Sequence, residues 1–287
     1  EAKYLKEGDY VAFPRINIEK KKKTIKISKI IKERKVQNGY VLLKRGKRGK
    51  IKDEIKVDNN FLRLIGYYIA EGSIAKDTIQ ITFSGDENEK KFAQDCKNLF
   101  KKVFGIKARI VKYKGRWETR ANSVIVSELF NKLFGHCASE KHLPYWILTL
   151  NEELLWEFVK GYWRGDDSID LRKKKRVRFT TVSRDLAYQL KLILNKLGMV
   201  VSFTYLPRGR KIRSEHDIYE LSITGKSAQK FYSRFSLKEL KGTYSWQKAI
   251  ITPNLIFFPI KRKKISFYKG PVWNLQTKSN SYVLDNL

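Results

Sequence analysis

The sequence predicts an α+β protein made of two pseudo-symmetric units, each reading helix, strand, strand, helix, strand pair, helix, with a small β-rich part at the two chain ends. Three observations predict it. FLRLIGYYIAEGSI at 61–74 returns as EFVKGYWRGDDSID at 157–170, with Gly66 matching Gly161, Glu71 matching Asp166 and Ser73 matching Ser168 at one constant offset. Self-similarity over so long a period marks a duplicated structural unit. The segments that follow correspond as well: IQITFS (79–84) with RVRFTT (176–181), FAQDCKNLFKKVFGI (92–106) with LAYQLKLILNKLGMV (186–200), and SVIVSELFNKLF (123–134) with ELSITGKSAQKFYSRF (220–235). Along each copy the hydrophobic period also switches between that of a helix and that of a strand.

In chain order, residues 1–15 and 250–287 read as strands with turns flanking everything else, and pattern alone leaves their pairing open. Residues 16–60 are a Lys-rich strand-and-turn stretch, with KKKK at 20–23 and KRGKRGK at 44–50, too basic to pack inward. This stretch is either a solvated linker or a basic arm lying on phosphate, the second being favoured. The two repeated units occupy 61–150 and 151–249. In them Ile79, Ile81 and Phe83 alternate with Gln80, Thr82 and Ser84, and Val177 and Phe179 alternate with Arg176, Arg178 and Thr180. These are half-buried strands with one core face and one polar or basic face. Leu186, Leu190, Ile193, Leu194 and Leu197 fall at helical spacing and belong to the core, and Gly198 ends their run as Gly105 ends its counterpart.

The charge narrows the function. Among 287 residues, 61 Lys and Arg face 29 Asp and Glu, a net charge of +32. A merely charged surface would be balanced, and an excess of this size repels itself unless a polyanion answers it, which points to nucleic acid. A hydrophobic share of 42% excludes wholesale disorder. No stretch approaches the roughly 18 apolar residues of a spanning helix, and EAKYLKEGDY lacks a signal-peptide core, so a cytoplasmic protein with no membrane partner is expected. Cys96 and Cys137 form no CxxC, and His136, His142 and His216 are not spaced as ligands beside them, so a disulfide scaffold and a structural zinc site both drop out. Glu1 and the single methionine, Met199, fit a segment of a longer translation product better than an engineered piece.

Gly66 and Ala70, like Gly161 and Gly165, are four apart and share one face of their helix. Removing bulk from one stripe lets two backbones approach closely, so these helices are expected to pack on each other. The residue just beyond each small pair is acidic, and symmetric packing brings Glu71 and Asp166 together. Two close carboxylates repel unless a pKa shifts or a cation joins them. A cation with oxygen ligands in so basic a protein points to phosphodiester chemistry, and Mg²⁺ takes one or two carboxylates plus phosphate and water.

LIGYYIAEG at 64–72 and VKGYWRGDD at 159–167 resemble the paired motifs of the LAGLIDADG homing endonucleases, in the monomeric form with two motifs per chain. The resemblance implies αββαββα halves whose four-stranded sheets form a saddle over the DNA major groove. It implies that Glu71 and Asp166, beside Ala70 and Gly165, hold the catalytic cations, Mg²⁺ or Mn²⁺, and that a monomer acts without a protein partner. Double-stranded DNA would meet Gln80, Thr82, Ser84, Arg109, Lys112, Lys114 and Arg116 in the first half and Arg176, Arg178, Thr180, Arg208 and Arg210 in the second. Lys44, Arg45, Lys47 and Arg48 of the arm would add phosphate contacts. Three departures stand out: Glu71 where Asp is usual, Ile69 and Arg164 at the motif's first acidic position, and Asp167 where Gly usually follows.

SEKHLPYWIL at 139–148 resembles the K-x-[IL]-P stretch preceding the second motif in intein-type members, which implies that Lys141 approaches the active site. Its twin would be Lys241 or Lys248 in ELKGTYSWQK, Lys241 being preferred. Such lysines polarise the scissile phosphate or hold the attacking solvent. The ends, EAKYLKEGDYVAFPR at 1–15 and GPVWNLQTKSNSYVLDNL at 270–287, resemble the strands of an intein splicing domain around its endonuclease insertion. With Glu1 and Leu287 at the termini, splicing by this chain is not expected. The expected function is site-specific double-stranded DNA endonuclease, cutting one phosphodiester in each strand. Its rivals are a DNA-binding protein of the same fold without cleavage and a fragment of a protein-splicing intein.

Overall fold

Asp58 opens the first motif helix, α2 (Asn59–Glu71). Its carboxylate accepts the Phe61 N–H at 2.9 Å and so satisfies one of the donors that a helix start leaves unpaired. The computed structural model describes residues 4–43, 49–166, 169–170, 176–209, 215–235 and 248–271, with residues 166, 169 and 170 described by backbone alone. Before α2 come β1 (Tyr10–Pro14), β2 (Thr24–Lys26), α1 (Ile27–Ile30), β3 (Val36–Gln37), β4 (Tyr40–Leu42), β5 (Lys50–Lys52) and β6 (Glu54–Lys56). The first unit is α2 (Asn59–Glu71), β7 (Gly72–Ala75), β8 (Thr78–Phe83), α3 (Lys90–Phe104), β9 (Ala108–Tyr113), β10 (Arg116–Asn122) and α4 (Val124–Phe134). A short helix, α5 (Tyr145–Leu148), leads to the second unit: α6 (Glu152–Asp166), β11 (Ile169–Asp170), β12 (Arg176–Thr181), α7 (Arg184–Lys196), β13 (Val201–Leu206), β14 (Ile218–Ile223) and α8 (Gly225–Arg234). The described part ends with β15 (Ile250–Ile251), β16 (Leu255–Pro259) and the stretch up to residue 271.

Both units therefore have the expected αββαββα order. Their sheets have the same connectivity, β7-β8-β10-β9 and β11-β12-β14-β13, with antiparallel neighbours throughout. In the first sheet Ile79, Ile81, Phe83, Thr119 and Ala121 are buried beneath the helices, while Gln80, Thr82 and Arg120 occupy the other face. In the second, Val177, Phe179, Leu221 and Ile223 are buried and Arg176, Arg178 and Thr180 point the other way. The faces match when Ile79 is set against Val177, one residue on from the match of IQITFS with RVRFTT. Pairing Ile79 with Arg176 would turn every side chain of the strand to the wrong face.

The sharpest contact is between α2 and α6. A Cβ on Gly66 would run into the carbonyl of Phe158, and a Cβ on Gly161 into the carbonyl of Arg63. Only glycine leaves room for backbones this close. Tyr67, Tyr68, Phe158 and Tyr162, on the same two helices, are almost fully buried, with the Tyr67 ring against Phe83, Tyr68 against Phe130 and Tyr162 against Phe179.

One expectation outside the repeats changes. The described part of residues 16–60 does pack isoleucines and valines inward. Ile25, Ile27, Ile31, Val41, Ile51, Ile55 and Val57 join the core, β2 pairs with β6, and Arg34 ties the segment to α4 by a 2.7 Å ion pair with Glu128. The physical reason is alternation: in TIK, KIK and EIK each isoleucine points inward and its charged neighbours point out. The pairing that pattern leaves open between the flanking segments is made, with β1 against β16 in the register Tyr10 to Pro259 and β15 on the far side of β16, while residues 272–287 lie outside the described part. Residues 260–271 contain no regular element.

Candidate active site and nucleic-acid interface

The small-residue stripe makes the site. At the C-terminal ends of α2 and α6, a Cβ on Gly165 would stand 2.7 Å from the Ala70 Cβ and 3.5 Å from the Glu71 Cγ. Glu71 thus lies against the last turn of α6, whose final residue is Asp166. The structure brings the backbones of all four expected metal-site residues, Ala70, Glu71, Gly165 and Asp166, to one place; the Asp166 side chain lies outside the described part. Two helix C-termini converge there, each with carbonyls that lack intrahelical donors and with the negative end of its dipole. Carboxylate and carbonyl oxygens at such a place suit a hard divalent cation.

Lys141 reaches the same place from the connection between the halves. Its side chain is buried, with 3% of the residue exposed, and Nζ donates to the Tyr68 carbonyl at 3.1 Å over the Tyr68 ring. Burial pushes its ammonium down to about 6, against the opposing pull of Cys137 and Glu71. Its backbone belongs to the other half, because the Ser183 hydroxyl donates to the Lys141 carbonyl at 2.6 Å and Gln189 exchanges two hydrogen bonds with Leu143. Lys141 therefore links the start of α7 to the end of α2. Lys241 lies outside the described residues. Lys248 stands beside the terminal sheet, where its carbonyl accepts the Tyr10 hydroxyl at 3.2 Å.

A network that the motifs do not announce supports the helix pair. Arg63 of α2 bonds Glu157 of α6 at 2.7 Å and Asp95 of α3 at 3.0 Å, and Arg164, at the motif's first acidic position, meets the same Asp95 at 3.4 Å. Tyr67 donates its hydroxyl to Asp95 at 3.0 Å. The signal for it is there in the sequence: two arginines on helix faces otherwise bound for the core require an acid between them.

The outer sheet faces carry most of the expected DNA contacts. Gln80 and Thr82 stand opposite Arg120 and Glu118, with Arg109 across from Arg120 and Arg116 at the start of β10 on the same face. Ser84 lies just past β8, its N–H donating to Glu89 at 2.6 Å. Lys114 forms the hairpin tip at φ 47°, next to Gly115 at 75°. Lys112 lies on the helix-side face instead, its ammonium 4.7 Å above the Trp117 ring and 3.8 Å from Glu87. In the second sheet Arg176 and Arg178 each lie 3.6 Å from Glu220, which stands opposite Thr180. Arg208 follows β13 and donates its N–H to Asp217 at 2.8 Å. Lys44, Arg45, Lys47, Arg48 and Arg210 lie outside the described residues.

Glu118 and Glu220 are two further site residues that sequence reasoning missed. Each stands opposite a threonine on an outer sheet face and holds arginine, Glu118 with Arg120 at 2.6 Å. A carboxylate on a face expected to meet DNA looks unfavourable until its arginine partner is seen. Among the described residues, no helix is long and apolar enough to cross a membrane.

Comparison with known proteins agrees with this geometry. The model of the LAGLIDADG-like domain matches residues 58–134 and 153–236, more than half of the chain and one block per unit. An uncharacterized protein of Methanocaldococcus jannaschii, MJ0043, is 29% identical over 98% of this chain and 34% of its own length. The ATP-dependent DNA helicase Hel308 of Thermococcus kodakarensis is 27% identical over 84% of this chain and 23% of its own length, and the DNA polymerase of Thermococcus sp. GE8 is 32% identical over 65% and 11%. The chain thus spans about a third or less of these relatives. Among solved structures, a variant of the homing endonuclease I-DmoI is 23% identical, with a TM-score of 0.46, over 65% of this chain and 98% of that one. With one matched block on each repeated unit, this chain belongs to the LAGLIDADG-like domain family.

Proposed function

We propose that this protein is a site-specific double-stranded DNA endonuclease that hydrolyses one phosphodiester in each strand. The observation that carries the reading is the meeting of Glu71, the end of α6 and Lys141 at the C-terminal ends of the two packed helices. Glu71 and Asp166, with the neighbouring carbonyls of Ala70 and Gly165, would hold divalent cations of the Mg²⁺ or Mn²⁺ class. A cation bound there supplies Lewis acidity to the scissile phosphate and to the attacking solvent. Gly66 and Gly161 set the helix spacing that fixes the distance between the two acids. Lys141 Nζ, held by the Tyr68 carbonyl, positions solvent or a phosphate oxygen where negative charge develops. Arg120, Arg176 and Arg178, steadied by Glu118 and Glu220, contact base edges or phosphates on the outer sheet faces.

A mobile, inserted origin fits the relatives. Similar stretches occupy 23% of a helicase and 11% of a polymerase, two unrelated enzymes, which is the distribution of a segment that enters different hosts. We read the β1, β15 and β16 sheet as the remnant of a splicing domain around the nuclease, and the protein as a cytoplasmic monomer. The test is selection of cleaved sites from a random DNA library with Mg²⁺. Recovery of one long site cut on both strands is the expected result. Enrichment by binding without any cut product would favour the non-cleaving reading.

A further inference from the structure

We propose that His136, Cys137 and Glu140 form a second metal site, for a borderline transition ion of the Zn²⁺ class, independent of the nuclease reading. Sequence spacing argues against such a site only while cysteine and histidine are weighed alone. The fold brings an imidazole nitrogen, a thiol sulfur and a carboxylate oxygen within 4.8 Å of one another. His136 Nδ1 and Glu140 Oε2 already stand 2.6 Å apart. A tetrahedral site with bonds of about 2.0 to 2.3 Å has ligand-to-ligand edges of about 3.3 to 3.8 Å, so the three donors need shift by only about 1 Å to close on an ion.

The loop that carries them is held in place. Gly135 takes φ 75°, and a Cβ there would strike the Glu140 carbonyl, which fixes the turn from 135 to 140. The Tyr68 hydroxyl donates to the Gly135 carbonyl at 2.5 Å, and Lys141, the next residue after the ligands, is anchored on the Tyr68 carbonyl. A loop fixed at both ends presents its donors with little ordering left to do. His136 and Glu140 are exposed and Cys137 is half-exposed, so an ion enters directly from solvent and takes water as its fourth ligand. Thiolate and imidazole select Zn²⁺ over Mg²⁺ or Mn²⁺, which separates this site from the oxygen donors at Glu71 and Gly165. Coordination displaces the thiol proton of Cys137 to solvent.

The test uses the full reduced chain, stripped of metal by chelator. Titration with ZnCl₂ is expected to give one site by calorimetry. Zn²⁺ is expected to slow iodoacetamide alkylation of Cys137, followed by mass spectrometry, by at least about tenfold, with Mg²⁺ giving no protection; buried Cys96 is the internal control. His136→Ala and Glu140→Gln should each weaken the protection of Cys137 by Zn²⁺ by about tenfold or more. Unchanged alkylation of the parent protein in Zn²⁺, or an affinity unaffected by Cys137→Ser, would overturn the proposal.

Discussion

At the scale of single residues, Glu71 and Lys141 can be tested separately. Glu71→Gln and Asp166→Asn each remove one charge from the meeting point of two helix ends without changing shape. Both should abolish cleavage and leave specific DNA binding within about tenfold, because phosphate contacts dominate affinity. Lys141 offers a reading that needs no DNA. Its folded value lies near 6 because burial disfavours the ammonium, against 10.5 for an ordinary lysine. Below the lower value folded and unfolded chains both hold the proton; between the two only the unfolded chain does, so stability rises with pH across that window. In chelator, Lys141→Met should therefore melt higher than the parent. The gap in Tm should be widest below about pH 6 and narrow as the pH rises toward about 10. A variant that melts lower at every pH would show that the Tyr68 contacts outweigh the burial penalty. On the sheet face, Arg178→Ala should relax preference at one base position by roughly 1 to 3 kcal/mol if Arg178 reads a base edge. Uniform weakening across sequences would mark a phosphate contact instead.

At the scale of elements, the α2 and α6 pair was legible in the sequence, because glycine stripes at fixed spacing have one steric use. Gly66→Ala and Gly161→Ala should each destabilise by at least about 1 to 3 kcal/mol in denaturant unfolding, since the new methyl meets backbone that cannot move aside. A loss of only a few tenths would mean that the helices are less tightly apposed. The strands were legible from alternation, but the register between copies was not. String matching weighs residue identity, whereas the fold conserves the face. The inward packing of the apolar residues between Ile25 and Val57 is hidden by lysine density: single isoleucines between charges look solvated, and only the pairing of β2 with β6 reveals their common face. Arg63 and Arg164 signal in the sequence that an acid is needed between them but not that it is Asp95, which comes from a different helix, and the partners of Glu220 lie on a neighbouring strand.

At the scale of the molecule, the net charge of +32 and the basic residues on the two outer sheet faces are what the proposed DNA-binding surface rests on. The arm tip at Lys44, Arg45, Lys47, Arg48 and Lys50 would extend it. Neutralising those five together should flatten the slope of log K against log salt by a few units, at roughly 0.9 for each phosphate no longer neutralised, and leave the position of cleavage unchanged. An unchanged slope would confine DNA binding to the sheets. The central claim, that two pseudo-symmetric halves share one two-acid cleavage centre, is tested most directly by single-turnover cleavage of a plasmid carrying the selected site, comparing the parent with Glu71→Gln in Mg²⁺. Expected is double-strand cutting by the parent and intact supercoiled plasmid with the variant at equal DNA occupancy. Double-strand cutting by the variant at the parent's rate would contradict the claim.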